Sequence, residues 1–167
     1  MRKKREYLPG ATYHITSRTN NRIQAFERKL GRRIMLMILE ESKEKFKFKL
    51  HNFCIMPNHI HLLLTPAENT NISQIMHWIK THSAKRWNRI HGSTDHLWGQ
   101  RFFARAIKDL RDHFSVHKYI DQNPVKAGLA ATPSEWKASG AFYIANDIHG
   151  LVDYTPFDRL AYIKLHT

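Results

Sequence analysis

The chain has 167 residues and a formal net charge of +13, from 27 Lys and Arg against 14 Asp and Glu with histidine counted neutral. That length suits one domain with a sizeable core, and no segment approaches the roughly 20 apolar residues of a membrane span. The charge excess favours a polyanionic partner, nucleic acid foremost, and the lack of a lipidation motif or strongly basic amphipathic tail weighs against a membrane surface. The opening run, Met1-Arg2-Lys3-Lys4-Arg5-Glu6, is charged with no apolar core behind it. A cytoplasmic protein is therefore expected.

Thr12 to Ser17 alternates, Tyr13 and Ile15 on one face and His14 and Thr16 on the other, and stops at the polar turn Thr19-Asn20-Asn21; this predicts a first strand. From about Gln24 to Lys45, Phe26, Leu30, Ile34, Met37 and Ile38 recur at helical spacing, which predicts an amphipathic helix somewhat weakened by Gly31. Phe46, Phe48 and Leu50 alternate with Lys47, Lys49 and His51 before the apolar parity shifts at Phe53 and Ile55. That shift predicts a bulge near His51-Asn52. Cys54, the single cysteine, excludes an intramolecular disulfide and reads as a core thiol.

Pro57-Asn58 turns the chain into Met56-Pro57-Asn58-His59-Ile60-His61-Leu62-Leu63-Leu64, around which the rest is arranged. On a strand His59 and His61 share one face while Ile60, Leu62 and Leu64 anchor the other. Two rigidly held imidazoles side by side can grip a divalent ion, although two histidines on a half-buried strand also arise by chance.

Asn71, with Gln74 three residues on, predicts a capped helix whose stripe of Ile72, Met76, Ile79, Ser83, Trp87 and Ile90 ends at Gly92. Lys80, Lys85, Arg86 and Arg89 lie mostly off that stripe, on a face that is either solvated or in contact with phosphates. Trp98 to Ile107 predicts another strand, with Trp98, Phe102 and Phe103 among Arg101 and Arg105. Aromatics among arginines can stack on unpaired bases, although such aromatics are more often core.

Asp109 is placed to cap a third helix that Pro124 should stop near Gln122. At about 100° per residue, Leu110, His113, Phe114, His117 and Ile120 gather on one side and Tyr119 falls roughly 160° away, beside Asp112, Ser115 and Asn123. Beyond Ala127-Gly128 the chain reads as irregular, from about residue 130 to 167, with Pro133, Gly140, Gly150 and Pro156 as breaks.

Four segments together resemble the IS200-like single-tyrosine HUH transposases, and among them the REP-associated tyrosine transposases. They are Tyr13-His14-Ile15-Thr16-Ser17-Arg18, the histidine strand, Leu97-Trp98-Gly99-Gln100-Arg101-Phe102, and Tyr119-Ile120-Asp121-Gln122-Asn123-Pro124-Val125-Lys126-Ala127-Gly128-Leu129, in the family's order between about residues 7 and 129. The resemblance implies an α+β fold, an antiparallel sheet flanked by helices and related to the ferredoxin-like architecture. It implies that His59 and His61 bind Mg²⁺ or Mn²⁺, that Tyr119 is the nucleophile and that Asn123 is a third polar ligand, with neighbouring Gln122 as the alternative. It also implies cleavage and rejoining of single-stranded, hairpin-forming DNA through a 5′-phosphotyrosine, in some members by homodimers that share active sites. Arg18, Lys80, Arg86, Arg101 and Arg105 are the candidate phosphate contacts. Three other classes stay open: a metal-dependent nuclease using the same histidines, a non-catalytic nucleic-acid binder, and a zinc domain recruiting Cys54, His59 and His61.

Overall fold

The computed structural model describes residues 7–154 together with Arg159 and Tyr162. Four strands, β1 (Tyr13–Arg18), β2 (Lys49–Met56), β3 (His59–Thr65) and β4 (Phe103–Ala106), form one antiparallel sheet in the order β2-β3-β1-β4. The helices are α1 (Lys29–Phe46), α2 (Ile72–His91), α3 (Leu110–Lys126) and the short α4 (Gly140–Ala145). This is the α+β architecture expected from the sequence.

Strand alternation divides the sheet into two chemically different faces. Tyr13, Ile15, Phe53, Ile55, Ile60, Leu62 and Leu64 are buried in one core with Ile34, Met35, Ile38 and Leu39 of α1 and Ile72, Ile75, Met76 and Ile79 of α2. On the opposite face Cys54, Met56 and Leu63 pack with Val116 and Ile120 of α3 in a smaller cluster. The bulge anticipated at His51-Asn52 is present as a register shift between Leu50 and Asn52. It turns Asn52 under α3, where its Nδ2 donates to the buried Asp121 Oδ1 at 2.8 Å; His117 Nδ1 meets the other Asp121 oxygen at 3.1 Å.

Local capping works as read. Asn71 caps α2 in a reciprocal box with Gln74, Gly92 closes the helix in the left-handed conformation, and Asp109 caps α3. Several expectations need correction. Helix α1 begins at Lys29 rather than near Gln24, because the preceding segment is pinned to the β2–β3 turn: Phe26 N–H bonds Pro57 O at 2.9 Å and its ring packs on Trp98. The stretch from Trp98 to Ile107 is a strand only over Phe103–Ala106, with Trp98 making an isolated bridge to Thr19.

Helix α3 runs through Pro124 to Lys126. A proline near the last turn forfeits one backbone bond, and the neighbouring carbonyls are held otherwise: Asn123 Nδ2 donates to Tyr119 O at 2.8 Å and Leu129 N–H to Pro124 O at 2.9 Å. Nor is the buried side of α3 the predicted one. Leu110 and Phe114 are exposed, and the helix packs through Val116, Ile120 and Pro124 with Asp121.

The break expected at Pro156 lies outside the described residues, and the described part of the tail, residues 131–154, is more ordered than its composition suggested. It runs along the outer edge of β2: Ile55 N–H bonds Ala138 O, Trp136 Nε1 donates to Ile55 O, and Leu50 exchanges bonds with Asp153 through both its N–H and its carbonyl. An edge strand that would otherwise offer unpaired backbone groups is thereby covered. Among the described residues, no helix is long and apolar enough to cross a membrane.

Candidate active site

The polar face of the sheet is built by register. Thr16 lies opposite His61 and Arg18 opposite His59 across the β1–β3 ladder, while His14 and Thr16 face Arg105 and Phe103 across β1–β4. All of these side chains line one cleft of about 680 Å³, closed on its other side by Ser115, Val116, Tyr119 and Asn123 of α3. The histidine pair, the tyrosine and the asparagine singled out in the sequence thus meet in one place. Gln122, next to Asn123, does not line the cleft.

His61 is 3% exposed and stands with its ring perpendicular to Tyr119 at 5.6 Å and to His59 at 5.0 Å. Its Nδ1 meets Thr16 Oγ1 at 3.1 Å and His14 Nε2 at 3.2 Å. Its Nε2 is buried without a hydrogen-bond partner. A buried polar nitrogen in that condition is costly unless something else engages its lone pair. His59 Nδ1 donates to Asn58 Oδ1 at 2.7 Å, which orients that ring and leaves its Nε2 as the accepting nitrogen.

Burial, then the neighbouring His59, His14 and Arg18, push His61 down to about 3. Burial and Arg18 push His59 down to about 4, and burial and Arg105 take His14 to about 4 against the opposing pull of Asp112. All three imidazoles are therefore neutral near pH 7, the form that binds a cation. Two neutral imidazoles, one with a buried and unpartnered Nε2, fit a divalent ion. Among the described residues, no group of three His, Cys, Asp or Glu is arranged for a metal. A complete coordination shell would have to draw on Asn123 and on oxygen atoms from outside the protein. The zinc reading gains nothing here, since Cys54 is fully buried against Met56 with its thiol pushed up by burial.

Tyr119 is 46% exposed, and Lys126 Nζ lies 5.8 Å from its ring centre. The carboxamide of Asn123 spends its nitrogen on Tyr119 O, which leaves its oxygen as an acceptor. Arg105 is held by Asp112 through two bonds of 2.7 and 2.8 Å, tying β4 to the start of α3. Arg18 is exposed at the mouth.

The other candidate phosphate contacts lie elsewhere. Arg86 donates to both carboxylate oxygens of Glu41 at 2.7 and 2.9 Å and ties α2 to α1, while Lys80 and Arg101 line a second cavity. Of the aromatics, Trp98 and Phe102 belong to the core and only Phe103, 59% exposed, reaches the cleft. The parts that sequence reasoning left without a role are His14 and Thr16. Their alternation with Tyr13 and Ile15 already placed them together, but nothing local showed that they would meet His61.

The family described as "Transposase IS200 like" matches residues 8–123. A REP-associated tyrosine transposase of Escherichia coli K12 is 24% identical over 142 residues, covering 81% of this chain and 79% of that protein. A Haemophilus influenzae Rd protein provisionally named a REP-associated tyrosine transposase is 29% identical over 110 residues, or 60% of this chain; the chain spans only 62% of that relative's length. The fold superposes on a solved REP-associated tyrosine transposase bound to a REP hairpin with a TM-score of 0.74 and 22% identity, covering 93% of this chain and 92% of the other. Because the matched region runs from before β1 through the histidine strand to Asn123, this chain belongs to the IS200-like transposase family.

Proposed function

We propose that the protein cuts and rejoins single-stranded DNA, with Tyr119 as nucleophile, at sites flanking a hairpin. The observation that carries this reading is the meeting, in one basic cleft, of a half-exposed Tyr119 with the neutral His59–His61 pair and its unpartnered Nε2. His59, His61 and the Asn123 oxygen would hold Mg²⁺ or Mn²⁺. Such an ion, when bound, supplies neutralisation of the phosphodiester oxygens.

The chain's own residues account for the remaining requirements. Arg18 and Arg105 bring cationic charge to the phosphate, and Phe103 offers a face on which an unpaired base can stack. Tyr119 Oη attacks phosphorus and gives up its proton to solvent; the P–O3′ bond breaks and the departing oxygen takes up a proton as a 3′-hydroxyl. The bond energy stays in the tyrosyl phosphate, so the hydroxyl of another strand can attack it and restore a phosphodiester without ATP. Strand transfer needs that economy, and a hydrolytic nuclease does not.

The test is a labelled DNA hairpin with a single-stranded flank, incubated with the protein and Mn²⁺ and run in denaturing detergent. A labelled band at protein mass that survives boiling is expected. Cleavage with no such band would make the protein a nuclease, and binding without cleavage would make it a non-catalytic binder.

A further inference from the structure

Two side chains of the cleft, His14 and Thr16, have no part in the chemistry above, yet both end on the same atom of His61. Their convergence follows from register. Thr16 lies directly opposite His61 across the β1–β3 ladder, while His14, two residues back on the same face and opposite Leu63, lies on the diagonal. A diagonal neighbour in an antiparallel pair is about 7–8 Å away, within reach of an aromatic ring. Thr16 Oγ1 thus meets His61 Nδ1 at 3.1 Å and His14 Nε2 meets it at 3.2 Å, with the two imidazoles stacked at 22°. His14 itself is only 8% exposed.

A neutral imidazole carries one ring proton, and its two placements on His61 are not equivalent in this setting. With the proton on Nε2, the single lone pair of Nδ1 would have to receive two donors, and the buried Nε2–H would have no acceptor among the described residues. With the proton on Nδ1, one N–H is shared between two acceptors, Thr16 Oγ1 and His14 Nε2, a common three-centre arrangement. That placement leaves a lone pair on Nε2. A buried N–H without an acceptor is rarer than an unfilled acceptor, and a cation can engage the lone pair where it cannot engage the N–H. Thr16 by itself would decide nothing, because a rotating hydroxyl can donate to Nδ1 or accept from it.

We infer that His14 and Thr16 are positioning residues that together hold His61 in the Nδ1–H tautomer and so keep its Nε2 open to the divalent ion. The inference rests on the proposed ion site for its consequence, whereas the tautomer is a property of the ion-free protein. Histidines that bind metals usually donate their second nitrogen to a carboxylate, a carbonyl or water, and a carboxylate raises their basicity. Here both acceptors are uncharged side chains. The ring is aimed with little added basicity, which suits a hard ion that takes most of its ligands from oxygen.

The experiment uses the full-length protein without DNA. With histidine labelled in ¹⁵N, long-range proton–nitrogen NMR in EDTA at pH 7.5 should place the His61 proton on Nδ1. The double variant His14→Leu, Thr16→Val should move it, in part or wholly, to Nε2. Mn²⁺ affinity, read from the free-ion EPR signal, should fall by about 10–100-fold in the double variant and by much less in His14→Gln, which keeps an acceptor oxygen at similar reach. An unchanged melting temperature checks the fold of the double variant, and the wild-type spectrum decides the tautomer whether or not that variant folds. A proton on Nε2 of wild-type His61 would overturn the inference; so would equal losses of affinity in His14→Gln and the double variant, or no loss in either. The ion site fails separately: a wild type that binds no Mn²⁺ while its His61 proton sits on Nδ1 keeps the tautomer and loses the ion.

Discussion

The ring of Tyr119 stands perpendicular to that of His61 with centroids 5.6 Å apart, so the candidate nucleophile touches a candidate ligand within one chain. The contact is made by the ring and not by the hydroxyl, and Tyr119 also meets His14 edge-on at 5.8 Å. Tyr119→Phe keeps both ring contacts and removes only the attacking oxygen. It should abolish the detergent-stable adduct while hairpin affinity in a gel-shift titration stays within about twofold, a change of less than 0.5 kcal/mol. Persisting adduct would assign the nucleophile to another tyrosine.

A site with so few protein ligands cannot spare one. His59→Ala and His61→Ala should each eliminate Mn²⁺-dependent cleavage, and EDTA should do the same to the wild type, with DNA binding retained in all three. Asn123→Ala should reduce cleavage at limiting Mn²⁺ and Gln122→Ala should not, since Gln122 is absent from the cleft lining. Full cleavage in excess EDTA would remove the metal from the mechanism.

Asp121 is buried under α3, two residues from Tyr119, and accepts from Asn52 Nδ2 at 2.8 Å. Gly140 of the tail packs against the same asparagine so closely that a Cβ there would sit 2.2 Å from Asn52 Oδ1. Asp121→Ala strands buried donors and should cost about 1–3 kcal/mol in urea unfolding. A loss below 0.5 kcal/mol, an ordinary surface effect on the usual scale, would show that the network adds little.

What the sequence made legible was local. Alternation paired His14 with Thr16 on one face of β1 and His59 with His61 on one face of β3, the parity change located the bulge, and Asn71 with Gln74 announced the α2 box, because each depends only on neighbours within a few residues. The errors arose where distant parts decide. Hydropathy set Leu110 and Phe114 in the buried stripe of α3, yet the polar Asp121 is inside because Asn52, some 70 residues earlier, meets it. Gly31 read as a weakness in α1, but a Cβ there would lie 2.0 Å from Ala25 O, so only glycine lets the preceding segment double back. The tail binds the β2 edge through backbone groups, which leave no mark in side-chain periodicity.

Four histidines link stability to pH. Burial, aided by His113, pulls His51 down to about 4, burial likewise takes His14 and His59 to about 4, and His61 is lowered to about 3. The unfolded chain binds protons at these positions below its ordinary value near 6.5, while the folded chain does not until the lowered values are reached. Their contribution to stability is therefore complete above about pH 6.5 and is lost progressively as pH falls toward 4. In EDTA, the urea midpoint should be lower at pH 5 than at pH 7.5. A midpoint equal or higher at pH 5 would contradict the neutral, buried state of these rings.

The last prediction concerns whose tyrosine serves which histidines. Tyr119 and His61 of the same chain are in ring contact, and Asn123 on the same helix lines the cleft with them, so a complete site needs no second copy in this arrangement. Sharing between two copies would require α3 to leave its own sheet. That would expose Val116 and Ile120 and separate Asp121 from Asn52. Burying those two aliphatic side chains contributes on the order of 3–6 kcal/mol, so exchange of α3 should be rare unless a partner sheet receives it equally well. Mixing Tyr119→Phe with His61→Ala protein, each inactive alone, discriminates the arrangements: a mixture that stays inactive at every ratio is expected for a site completed within one chain. Recovery of up to about a quarter of wild-type adduct, the yield of random pairing when one composite site in four is intact, would instead show that Tyr119 acts on the histidines of a partner.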